Sequence, residues 1–250
     1  MADWTAFGAV SVVLAVLVLA LARSTQRALD ASPEPTEQSL PAEAPATQEA
    51  ERPAGLSLDD ISTGALLLNV VGTQLVFLLL LLGGVWYAEV PLDVLGVTTP
   101  GAAELGVGAG LGVVLFGLNQ VAARLGRRFG LGGNEELREA LAPDSLPGWL
   151  VLLVVVLPVV AGFEELLFRG ALVGGLGAGF GLSPWLLVVA SSLLFGLGHG
   201  AQGRVGVVVT ALLGGALGVA FVATGSLWVV VVAHYLLNAL EFVVYEGVRR

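Results

Sequence analysis

Seven apolar runs dominate the chain. The first is "WTAFGAVSVVLAVLVLALA", Trp4 to Ala22, and the rest lie at about Ile61–Tyr87, Ala102–Ala123, Gly148–Val173, Pro184–Gly200, Val205–Thr224 and Leu227–Tyr245. Several reach the roughly 20 residues that carry a helix across the hydrocarbon core of a bilayer. The reading is an all-α fold, a polytopic transmembrane helical bundle of about seven spans. Only 12% of the 250 residues are charged and 56% are hydrophobic. Soluble domains carry about 25% charged residues, so this chain lacks the polar surface to face water on all sides.

Composition removes several functions. There is no cysteine, hence no disulfide framework, thiolate metal site or thiol nucleophile. The net charge is -9 and every basic residue is arginine. Such an acidic chain offers nothing to bind nucleic acid.

The organisation follows from where the apolar runs stop. Residues 1–22 read as an N-terminal anchor rather than a signal peptide, because the n-region carries Asp3 and no arginine, although Ala20-Leu21-Ala22 resembles a cleavage site. Residues 23–58 are rich in Pro, Ala and Glu and read as a disordered acidic linker. Residues 59–146 hold two spans and a loop, and residues 147–250 hold four spans. Arg23 and Arg27 follow span one; Arg124, Arg127, Arg128 and Arg138 follow span three; Arg204 follows span five; Arg249 and Arg250 follow span seven. Seven crossings put all of these on one side, which the positive-inside rule makes cytoplasmic, with the N-terminus outside. Arg169 is left inside a span.

Ionisable residues within a span are costly and are functional candidates by default. Here they are Glu164, Glu165, Arg169, His199, His234 and Glu241, with the amides Asn69, Gln74, Asn119 and Asn238. Glu165 and Arg169 are four apart with the acid first, the favourable order for a helical ion pair. Glu164 points about 100° away from Glu165, so it is the acid without a partner on its own helix, and suits a general base or acid. His234 and Asn238 share one face of the last helix, and Phe195 and His199 repeat that spacing on span five. Glu241 could extend the polar face, whereas Asn69 and Asn119 taken singly read as interhelical glue. One free acid, two histidines and an amide on three apolar helices can together activate a water and stabilise an oxyanion.

"EELLFR" (Glu164–Arg169) fits EExxxR, "FGLGH" (Phe195–His199) fits FxxxH and "HYLLN" (His234–Asn238) fits HxxxN. In that order the motifs resemble those of the CPBP family, the CAAX proteases and bacteriocin-processing enzymes, whose eukaryotic relatives are the type II CAAX prenyl endopeptidases. The resemblance covers roughly Gly148 to Tyr245. It implies an intramembrane endopeptidase at the cell membrane acting on membrane-associated or prenylated peptide or protein substrates. By analogy Glu164 and His199 activate the attacking water, and His234 with Asn238 forms the oxyanion hole. Glu165 and Arg169 brace the fourth span, and Phe195 supports the site. The competing reading is a non-catalytic membrane scaffold or immunity-type protein of the same fold.

No cofactor is favoured. A divalent metal such as zinc, held by Glu164, His199 and His234, remains the alternative, although catalytic zinc takes three protein ligands and assigning His234 to the oxyanion hole leaves two. Depth poses a separate conflict. At 1.5 Å per residue Glu164 lies roughly 24 Å above the start of span four. His199, counted from Pro184, lies about 8 Å above the same face of a core some 30 Å thick. The span ends are therefore expected to be wrong by a turn or more.

Overall fold

A computed structural model describes residues 1–30, 61–128 and 136–247. Most of the acidic linker, as well as Arg52, Arg249 and Arg250, lies outside the described residues. The helices are α1 (Trp4–Asp30), α2 (Thr63–Tyr87), α3 (Ala102–Arg128), α4 (Glu136–Leu141), α5 (Leu146–Phe180), α6 (Pro184–Gly198), α7 (Gly203–Thr224) and α8 (Leu227–Gly247). All but α4 and α6 are long and apolar enough to cross a membrane, and α6 is a shorter apolar helix. In lipid the backbone must satisfy its own hydrogen bonds, and helices do so within the segment. The protein is an integral membrane protein built as a helical bundle.

Several boundaries differ from the sequence reading, and two of them shift the most. Helix α1 continues eight residues past Ala22, to Asp30. Helix α5 continues past Val173 to Phe180, through the glycine-rich "VGGLGAGF". Those glycines lower helix propensity, but they form the floor on which α1 lies. A Cβ on Gly179 would come within 2.7 Å of the Trp4 ring, and Gly175 is held against Phe7. Tertiary packing overrides the local preference.

Helix α5 is not uniform. Regular α geometry over Leu157–Glu165 lies between wider π turns at Leu152–Val156 and Leu166–Gly175. Pro158 has no N–H to give to the preceding turn, and the first π segment lies where that bond is missing. The second begins directly after Glu164 and Glu165, and π turns inside helices are frequent at functional sites.

These extents resolve the depth conflict. Ser191 Oγ on α6 donates to Phe168 O at 2.6 Å, and the Arg169 guanidinium lies 4.6 Å from the Phe195 ring centroid. Helix α6 runs antiparallel to α5, and Glu165 lies 15 residues before Phe180 while His199 lies 15 residues after Pro184, so the two reach similar depths from the turn that joins the helices. Span four simply begins and ends elsewhere than Gly148 and Val173.

The ends of the helices sort into two groups. At one end Asp3 N donates to Ala88 O (2.8 Å), Leu227 N donates to Gly96 O (2.9 Å) and Trp228 Nε1 donates to Thr98 O (2.6 Å). Gly96 takes φ +72°, a left-handed conformation suited to glycine, and a Cβ there would press on the Leu227 backbone. At the other end Gln26 of α1 meets Gly200, and Arg138 of α4 bonds Glu246 of α8 at 2.9 Å. Arg23, Arg27, Arg124, Arg128, Arg138 and Arg204 all belong to this second end.

Candidate functional site

The centre of the bundle is polar where α5 meets α7 and α8. Glu165 is fully buried, and its Oε1 accepts from Arg169 Nη1 at 2.7 Å. The same oxygen lies 2.7 Å from Nδ1 of the buried His234. Arg169 is also buried; its Nη2 donates to Gly214 O on α7 at 2.8 Å, and its guanidinium stacks on Phe195. The approach needs a glycine, since a Cβ on Gly214 would stand 3.1 Å from Nη2 and 3.0 Å from the Phe195 ring. An ionised carboxylate only accepts, so Nδ1 of His234 carries the hydrogen in this bond. Its ring is thereby oriented, and Nε2 is left to act.

Nε2 of His234 stands 3.8 Å from Glu164 Oε2. That distance is too long for a hydrogen bond and leaves room for a third group to contact both. Glu164 does have a partner, on another helix: Gln74 Nε2 of α2 donates to its Oε1 at 3.3 Å. Its Oε2 is buried with no donor from the protein, as is Oε1 of Gln74. The two neighbouring acids differ in the partners of their engaged oxygens. Oε1 of Glu165 is shared by a guanidinium and an imidazole, whereas Oε1 of Glu164 has a single amide donor; Oε2 of each acid is buried with no donor from the protein.

A cavity of about 350 Å³ opens beside these groups, within the range of small-molecule and peptide side-chain sites. His199, His234 and Asn238 line it, and much of its remaining wall is aliphatic, from Leu67 and Val160 to Val209 and Leu213. His199 follows the last residue of α6, where the helix gives way to the short turn Gly200–Gln202. Its Nδ1 lies 2.8 Å from Phe195 O, so Nδ1 is the donor and Nε2 the other ring nitrogen. The Phe195 ring contacts both histidines, with centroids 4.6 Å from His199 and 5.8 Å from His234. Asn238 lies one turn beyond His234 on α8 and faces the same cavity.

Residues 146–240 match the model of a family described as Rce1-like, type II CAAX prenyl endopeptidase Rce1-like. That segment, well under half of the chain, is similar to the CAAX proteases. No curated protein and no solved structure was found to match the chain. The Rce1-like segment contains Glu164, Glu165, Arg169, Phe195, His199, His234 and Asn238. Gln74, Asn119 and Glu241 stand outside it, on α2, α3 and the end of α8.

Of the polar residues outside the Rce1-like segment, Asn119 donates to Glu241 in a short bond that joins α3 to α8. Glu241 is thus paired as well as lining the cavity. Asn69, expected as interhelical glue, is exposed on α2. Among the described residues no three His, Cys, Asp or Glu side chains stand close enough to hold a metal. Glu164, His199 and His234 do not converge as a ligand set in this arrangement.

Sequence reasoning missed the bond between Glu165 and His234 and the bond between Gln74 and Glu164. Both are tertiary. The only advance signal was that Gln74 is an amide inside an apolar span.

Proposed function

We propose that the chain is an intramembrane endopeptidase that cleaves a membrane-associated or prenylated peptide or protein at the cell membrane, through a glutamate-activated water. The observation that carries this reading is the unengaged Glu164 Oε2, 3.8 Å from Nε2 of a histidine already anchored through Nδ1. A water in contact with Glu164 gives a proton to the carboxylate, and its oxygen attacks the scissile carbonyl carbon. His199 confines that water from the α6 side of the cavity. The carbonyl oxygen becomes an oxyanion, and Nε2–H of doubly protonated His234 together with the Asn238 amide supplies its donors. Glu164 then returns the proton to the leaving amine. Glu165 holds His234 in position, and Arg169 balances the charge of Glu165.

Cleavage of a membrane peptide by purified protein, with metal content measured on the same sample, tests this scheme. Glu164→Ala and His199→Ala should each abolish cleavage while peptide binding persists. Asn238→Ala should retain a residual rate lower by about 10²–10³-fold, the usual effect of losing one oxyanion donor. Chelators should leave the rate unchanged. Stoichiometric zinc lost together with activity would instead make His234 a metal ligand, and full activity in Glu164→Ala would remove the reaction from this site.

A further inference from the structure

Helix α2 lies outside the segment that matches the CAAX protease family, yet it places one polar side chain against the central acid. Gln74 Nε2 donates to Glu164 Oε1 at 3.3 Å. The opposite amide orientation would set an oxygen against a carboxylate oxygen, so the NH2 group is the one facing Glu164. The amide oxygen of Gln74 and Oε2 of Glu164 are then both buried, and neither receives a donor from the protein. Covalent geometry keeps each of them next to the bond that joins the two groups. Two buried acceptors on side chains already bonded to each other each call for a donor, and one small molecule that donates twice can serve both. Water does both.

We infer that Gln74 is a positioning residue of the proposed reaction: it orients Glu164, and its amide oxygen and Glu164 Oε2 hold the attacking water by its two hydrogens. The inference rests on the endopeptidase reading of the site. A water held in this way keeps its lone pairs for the carbonyl carbon, and the hydrogen on Oε2 is the one that leaves. The NH2 group of Gln74 occupies Oε1, so Oε2 is the single oxygen that exchanges the proton. This assigns α2 a part in the chemistry, beyond that of a packing helix.

Two substitutions in the full-length purified protein separate positioning from packing. Gln74→Met preserves length and volume but removes both donor and acceptor. It should lower kcat by roughly 10–100-fold, the scale of a displaced reacting group, while KM, affinity for an uncleavable peptide and the unfolding temperature stay at wild-type values. Gln74→Glu sets a second carboxyl against Glu164. Its activity should be lost at neutral pH and recover as pH falls, once the introduced carboxyl holds a proton to donate in place of the amide. A packing role produces neither the kcat-only loss nor the acid recovery. Glu164→Gln is assayed alongside. If it is inactive while Gln74→Met keeps full kcat, or if Gln74→Met loses affinity or stability in proportion to activity, this inference falls and the endopeptidase reading stands. If Glu164→Gln is itself fully active, the endopeptidase reading falls first.

Discussion

Glu164 and Glu165 are neighbours with different partners, and stability should tell them apart. Glu165→Gln leaves the buried Arg169 with only Gly214 O and the Phe195 face, and it weakens the anchor of His234. Removing one member of a buried ion pair costs about 3–5 kcal/mol, so this variant should unfold at markedly lower temperature in detergent. Glu164→Gln removes a carboxylate that has one amide donor and one unengaged oxygen, so its unfolding temperature should stay close to wild type. A lower unfolding temperature for Glu164→Gln than for Glu165→Gln would reverse the two roles. This division was partly legible in the residues. The spacing of Glu165 and Arg169, and the 100° between adjacent helical positions, concern a single helix, where sequence distance determines direction. What Glu164 meets on α2, and what Glu165 meets on α8, lies 90 and 69 residues away in the chain. Local periodicity carries no such information.

Helices show the same limit in another form. That apolar runs become helices follows from the membrane alone, but where each helix stops and how closely two approach depends on a neighbour. Helices α3 and α8 are the clearest case. A Cβ on Gly108 would stand 2.7 Å from Val229 O, and one on Gly112 would stand 2.8 Å from Ala233 O and 2.9 Å from Leu236 Cβ. These are backbone approaches that cannot be relieved by turning a side chain. Gly110, between them, has open space around it. Gly112→Val should therefore push α8 away from α3 at the residue preceding His234, strain the Asn119–Glu241 bond, and cost about 1–3 kcal/mol. Activity should fall with stability, whereas Gly110→Val should change neither. Unfolding in detergent and peptide cleavage on the same preparations check the pair. Equal behaviour of the two variants would show that contact between α3 and α8 does not position His234.

At the scale of the whole molecule, the arrangement of the helix ends makes a claim about orientation. The N-terminus, the connection 88–101 and the turn 225–226 meet at one end, while Arg23, Arg27, Arg124, Arg128, Arg138 and Arg204 gather at the other. Arginine is retained on the cytoplasmic side during insertion, so the arginine-rich end should face the cytoplasm. The cavity reaches that end, because Ala122, Ala123, Leu137 and Arg138 line it together with His199 and His234. A peptide tail should therefore enter from the cytoplasm and meet the site partway across the bundle. The absence of cysteine makes the test direct, since each introduced thiol is the only one in the chain. Glu89→Cys, on an exposed residue at the N-terminal end, should react with a membrane-impermeant maleimide added outside intact cells. Arg27→Cys and Arg204→Cys, both exposed at the opposite end, should react only after the membrane is opened. Labelling of Arg204→Cys in intact cells would invert the bundle, and with it the side from which any substrate reaches Glu164.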